Sequence, residues 1–146
     1  MGADLFADGE NVPEFLVWAQ KDKYSASLQR IQIIKGSVTN SGARPSEKVF
    51  DVVCSDGLEV DPTTHRCPDN GARVNIEDCS ITNNVGATEL KATWRDPDFN
   101  PKDKAFYYVR VLENPTCRWS TWDALKAGIK PRSDLHETIQ ERAWSS

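Results

Sequence analysis

Histidine is scarce in this chain: only His65 and His136 occur among 146 residues. His136 has Glu137 beside it, but adjacent residues on a strand or helix point to different sides, so the two do not meet at one point. Both histidines are read as solvated surface groups rather than as metal ligands or a general base. Long apolar runs are missing too, and none approaches the about eighteen residues of a membrane span. Met1-Gly2-Ala3-Asp4 lacks a positive segment followed by an apolar one, so it reads as neither signal nor anchor. There is no excess of positive charge: 18 Lys and Arg against 22 Asp and Glu give a formal charge of −4. The basic residues are scattered rather than striped, which sets nucleic acid and membrane surfaces aside as partners.

The motifs of common chemistries are absent as well. There is no Gly-x-Ser-x-Gly, no glycine-rich phosphate loop and no histidine at a useful spacing from a serine. Asp96-x-Asp98-x-Asn100 opens like a calcium loop. Its sixth position, however, is Pro101 where glycine is needed, and its twelfth is Tyr107 where glutamate is needed, so it is read as an Asp-Pro turn before a strand. Four cysteines are present, Cys54, Cys67, Cys79 and Cys117, but Cys-x-x-Cys spacing is not, which favours disulfides over zinc. Three pairings are open and the sequence does not choose among them. The working expectation joins Cys54 to Cys67 and Cys79 to Cys117. Disulfides imply an oxidising compartment, periplasmic or extracellular, reached through an export signal outside the stretch in hand.

What is there is mostly strand-like. Phe106 to Glu113 places Phe106, Tyr108, Arg110 and Leu112 on one side and Tyr107, Val109, Val111 and Glu113 on the other. Both sides are largely apolar, which predicts a central strand covered on both faces and stopped near Asn114 by Pro115. Phe15 to Ala19, Leu28 to Lys35 and Lys48 to Cys54 predict further strands. In the second of these, Ile31 and Ile33 face one way and Gln32 and Ile34 the other; in the third, Phe50, Val52 and Cys54 share a face. Gly36 to Pro45 is a turn-rich connection. Ser55 to about Asn84 is long and irregular, a length that cross-links would make tolerable, and short strands are expected at Val74 to Ile76 and Glu89 to Trp94. Thr121 is a candidate cap for a helix over Trp122 to Ala127 stopped at Gly128. Asp134 and Glu137 form a capping-box-like start in the tail. The fold class is therefore mainly β, an antiparallel Ig-like β-sandwich with one or two short helices near the carboxy terminus. Residues 1–12 are a lead-in or linker and residues 13–146 the domain. Trp18, Trp94, Trp119, Trp122 and Trp144 leave room for a carbohydrate- or ligand-binding module as the alternative role.

Several segments taken together resemble the carboxy-terminal region of the DUF3604 family, a bacterial family of unknown function. They are Ile31 to Gly36, Trp94 to Phe99, Ala105 to Glu113, Pro115 to Trp119 and Ile139 to Ser146. The resemblance implies that this chain is a fragment of a longer, often exported protein similar to PHP or amidohydrolase-type metal-dependent hydrolases. It places the histidine-rich metal motifs, and any divalent metal, in an amino-terminal part not present here. No family ligand is carried onto a residue of this chain, and Cys117 replaces the proline associated with that position. The implied role is that of a non-catalytic accessory domain, with no cofactor of its own, partnered by its own amino-terminal catalytic domain. Arg118, Trp119, Glu141, Arg142 and Trp144 are the candidates for that interface or for the rim of a site.

Overall fold

The computed structural model describes residues 2–6, 11–38 and 44–145. Residues 7–10 of the expected lead-in, residues 39–43 of the turn-rich connection and Ser146 at the end of the last family-like segment lie outside the described residues. Strands dominate: β1 (Glu14–Gln20), β2 (Leu28–Val38), β3 (Ser46–Cys54), β4 (Glu89–Arg95), β5 (Lys104–Glu113), β6 (Thr116–Cys117), β7 (Thr138–Ile139) and β8 (Arg142–Trp144), with one helix, α1 (Trp119–Ala127). All the ladders are antiparallel. One sheet runs β3-β2-β5-β8, a second pairs β1 with β4, and β6 pairs with β7 in a short ribbon.

The first two sheets face each other because alternate residues of each are apolar on one side. Ile31 and Ile33 of β2 pack with Val17 of β1 and Leu90 of β4 as the buried core, and Phe15, Ala92, Trp94, Tyr107, Val109 and Val111 close around them. On the other side of β1, Leu16 and Trp18 are exposed, the alternation expected of a sheet with one solvated face. Between β2 and β3 the register shifts between Ile31 and Gln32, so Val53 stands opposite Ile31 while Phe50 stands opposite Ile33. This irregularity breaks the simple Phe50, Val52, Cys54 face, because an extra residue in one strand reverses the alternation beyond it.

The strand covered on both faces is β2 rather than β5. Ile31, Ile33 and Ile34 are each at most 1 % exposed. In β5, Phe106 is 60 % exposed, and with Tyr108 it lies on the sheet's outer side. There the two rings stack, 6.2 Å apart and 11° from parallel. Phe106 faces Gly36 across the ladder, and its ring occupies the space that a Cβ on Gly36 would need. An aromatic ring thus covers the cross-strand glycine and shields the backbone there.

Disulfides join Cys54 to Cys67 and Cys79 to Cys117, the expected pairing. The irregular stretch after β3 is further held by polar side chains. The buried Asp51 carboxylate accepts from Cys67 N at 2.7 Å and Gln32 Nε2 at 2.5 Å. The Asn70 amide bridges Ser55, Asp56 and Asn114 and accepts from Gln29. Val74 forms an isolated bridge with Ile81 instead of a strand. His65 is partly buried with its ring 5.1 Å from Phe50, not a solvated surface group.

Two expectations near the carboxy terminus need correction. Arg118, not Thr121, occupies the cap position of α1, because Thr121 is buried and its hydroxyl is spent on the Glu137 carbonyl. Gly128 ends the helix as expected, in the left-handed region at φ 65°. The tail is not a helix: Asp134 is taken by Arg132, Thr138–Ile139 pairs with β6, and Arg142–Trp144 joins β5.

The core position of Ile33 predicts that Ile33→Ala costs about 2–5 kcal/mol of folding stability, whereas Phe106→Ala on the exposed outer face costs clearly less. Urea unfolding of the two variants checks the order.

Candidate functional site

Two polar constructions could carry chemistry, and they differ in access. The first is a closed cluster at one end of the sandwich. Lys35 of β2 and Asp96, just after β4, form an ion pair of 2.5 Å with side chains 7 % and 0 % exposed. Burying both charges is costly unless every lone pair and proton finds a partner. Here the Asp96 carboxylate also accepts from Tyr107 Oη at 2.7 Å and from Asp98 N at 2.9 Å, and Lys35 also donates to the Asp98 carbonyl at 2.7 Å. Burial, and then the hydrogen bond to Asp96, push the Tyr107 phenol well above its usual range, so it stays protonated and donating. Lysine, tyrosine and aspartate in one spot resemble catalytic machinery. Their burial makes them a clamp instead, fixing the Asp96-Pro97-Asp98 turn against β2.

The second construction is open. A cleft of about 520 Å³ lies between the β6–β7 ribbon and the cysteine-rich loop. Gln29 and Gln140 form its floor, with Gln140 Nε2 donating to Gln29 Oε1 at 2.8 Å and to the Glu113 carbonyl at 3.1 Å. Arg73, Arg118 and Arg142 border it, with His136 and Asp69. Arg73 is held by Asp69 through two hydrogen bonds of 3.2 and 2.7 Å. Those bonds, with a further one from Gly71 N, hold the Asp69 carboxyl down to about 2. Arg118 is fixed by its backbone N–H on the Glu137 carbonyl and by its neighbour Cys117 in the Cys79 disulfide. Its buried Nε has no hydrogen-bond partner among the described residues.

Of the residues singled out in the sequence, the structure brings Arg118 and Arg142 to this cleft. Trp119 is 72 % exposed at the start of α1, and Glu141 is exposed, its carbonyl accepting from Glu113 N. Trp144 lies beyond, its ring 5.8 Å from Tyr108 and beneath the Arg110 guanidinium at 5.0 Å. A smaller groove of about 300 Å³ runs from Leu16 and Trp18 of β1 past Val109 and Val111 to Ala143 and Trp144. Among the described residues, no three His, Cys, Asp or Glu side chains converge where they could hold a metal ion, and no helix is long and apolar enough to cross a membrane.

A family model described as "Protein of unknown function (DUF3604)" matches residues 1–146, the whole chain. The chain belongs to the DUF3604 family. Searches of curated proteins and of solved structures return no match. For this DUF3604 chain, sequence reading missed the Lys35–Asp96–Tyr107 cluster and the contributions of Gln29, Gln140, Arg73 and His136 to the cleft. Arg73 and Asp69 stand four apart, a spacing that could have signalled their pairing. The other contacts join residues far apart in sequence, and no local pattern marks them.

Two measurements follow. Asp96→Asn leaves the Lys35 ammonium buried against a neutral partner and costs about 3–5 kcal/mol, read from urea unfolding; a loss under about 1 kcal/mol would contradict the clamp. At the cleft, a carboxyl lowered by folding contributes stability that is present above its unfolded pKa of about 3.9 and lost as pH falls through the folded value of about 2. Carboxyl NMR titration is expected to show Asp69 protonating well below its ordinary range, and Arg73→Ala should return it toward that range.

Proposed function

We propose that this chain is a non-catalytic accessory domain of a longer, exported protein, and that it docks on the amino-terminal catalytic part of that protein, a metal-dependent hydrolase of unknown substrate. The observation that carries the reading is the apolar groove on the open side of the sandwich. There the sheet of two strands is narrower than the sheet of four, so inner-face Val109 and Val111 are flanked by exposed Leu16, Trp18 and Trp144. Contiguous exposed apolar side chains of this size mark contact surfaces more often than free ones. The unpaired edges of β1 and β8 border the same groove and offer backbone donors and acceptors to an added strand. Two disulfides support an oxidising location, periplasmic or extracellular on this reading.

A second reading rests on the outer face, where Phe106, Tyr108 and Trp144 form a partly exposed aromatic row. Such a row suits stacking on sugar rings, as in a carbohydrate-binding module.

Co-expression of this chain with the upstream part of its parent protein separates the two. Docking predicts a stable complex, with Leu16→Asp and Trp144→Asp each weakening it by about tenfold, roughly the 1.4 kcal/mol that a buried anchor readily exceeds. No association, together with glycan binding that Phe106→Ala abolishes, would overturn the docking reading in favour of the module.

A further inference from the structure

We infer that the cleft bordered by Arg118 and Arg142 is a binding site for an oxyanion group, a carboxylate or a phosphate or sulfate ester, carried on a small polar ligand. This inference goes beyond the docking reading and does not depend on it, because the apolar groove and the cleft have no lining residue in common.

Three observations carry it. The first is the Nε of Arg118, buried with no hydrogen-bond partner among the described residues. Buried donors are seldom left unpaired, and those that are call for an explanation such as an ordered water or an ion. The second is charge. Among the described residues no ion pair engages the side chain of Arg118 or Arg142. The one carboxylate lining the cleft, Asp69, is already occupied by Arg73. Three arginines therefore face one spent carboxylate in a chain whose formal charge is −4. With Arg73 matched by Asp69, Arg118 and Arg142 are the two cationic side chains of the lining left without a carboxylate of their own.

The third observation is rigidity. Arg118 follows a disulfide-bonded cysteine, and its backbone N–H and the Thr121 hydroxyl both bond the Glu137 carbonyl, at 2.9 and 2.8 Å. The floor is locked by the Gln140 amide on Gln29 and the Glu113 carbonyl. The backbone that carries Arg118 is thus fixed, and a guanidinium fork matches the geometry of carboxylate and phosphate oxygens. The volume of about 520 Å³ suits a small molecule. Gln29, Thr138 and His136 add hydrogen-bonding groups, and no Phe, Tyr or Trp lines the cleft, which favours a polar ligand over a large apolar one.

The test titrates the 146-residue chain with inorganic phosphate, with glucuronate and with neutral glucose, following backbone amide and arginine Nε signals by NMR and heat by calorimetry. Phosphate or glucuronate is expected to shift Arg118 and Gln140 saturably, and glucose to leave them in place. A response to phosphate alone assigns a phosphate- or sulfate-type group, and a response to glucuronate alone assigns a carboxylate; either supports the site. Arg118→Ala and Arg142→Ala should each weaken binding about tenfold, the scale of one charge-assisted hydrogen bond. Arg132→Ala, whose side chain pairs with Asp134 outside the cleft, should leave binding unchanged. If Arg118→Ala does not fold, the exposed Arg142 carries the comparison. Absence of saturable shifts with both anions, or equal affinity in Arg142→Ala, overturns the inference.

Discussion

The burial of β2 on both faces is the constraint from which the architecture follows. A strand whose inner residues Ile31 and Ile33 and outer residue Ile34 are all removed from water must be hydrogen-bonded along both edges and covered on both sides. Its edges are taken by β3 and β5. Its inner side is covered by the β1–β4 pair, which buries Val17 and Leu90 against it. Among the described residues no second sheet covers its outer side. There Gln32 is pinned between the Asp51 carboxylate and Arg110 Nε, and Phe106 lies over Gly36. A polar network and an aromatic row complete the burial that a further sheet would otherwise supply.

Charge is used as a fastener at two places along the β2–β3 region, for the same physical reason. A buried carboxylate is tolerated only when its oxygens are fully engaged, so wherever one occurs it fixes the geometry of everything donating to it. Asp96 gathers β2, β5 and the turn after β4. Asp51 gathers β2 and the cysteine loop through Gln32 and the Cys67 N–H. The second arrangement explains how a long irregular segment stays ordered: the Cys54–Cys67 bridge limits its freedom when unfolded, while Asp51 and Asn70 satisfy its backbone and side-chain groups once folded. With Cys79 tied to Cys117, the loop is brought against the β6–β7 ribbon, and the cleft is the seam between them.

Local patterning made the main strands legible. The alternation in Leu28 to Lys35 assigned the correct side to each isoleucine, and Pro115 stopped β5 at Glu113. The sequence left three cysteine pairings open, and the one taken as the working expectation is the one the structure has. Failures arose where a distant partner outweighed a local signal. Thr121 looks like a helix cap, yet its hydroxyl found the Glu137 carbonyl sixteen residues on. Asp134 and Glu137 look like a helix start, yet Arg132 took the carboxylate and the strand edges of β6 and β5 took the backbone. The apolar look of both faces of β5 pointed to a doubly covered strand. Aromatic residues can serve an exposed face as well as a buried one, and nothing in the alternation distinguishes the two. For the cleft, the sequence offered two arginines but not their meeting point, because Gln29, Arg73 and Gln140 come from three separate segments.

The groove and the cleft are neighbours through one short strand. β8 has three residues and a ladder on one edge only, to β5. Its first residue, Arg142, borders the cleft, and its last, Trp144, borders the groove. A strand this short has little ladder of its own to resist displacement, and local opening is cheapest where few backbone bonds and little apolar burial hold a segment. Its position therefore depends on the Gln140 amide at one end and on Ser145 at the other, where Ser145 N bonds the Val109 carbonyl and Ser145 Oγ accepts from Val109 N. Any partner that extends the sheet along the free edge of β8 fixes Arg142 as it does so. Any anion that orders Arg142 in turn favours the edge geometry a partner would meet. Whatever coupling β8 carries between the two surfaces is the same in both directions, even though they share no lining residue.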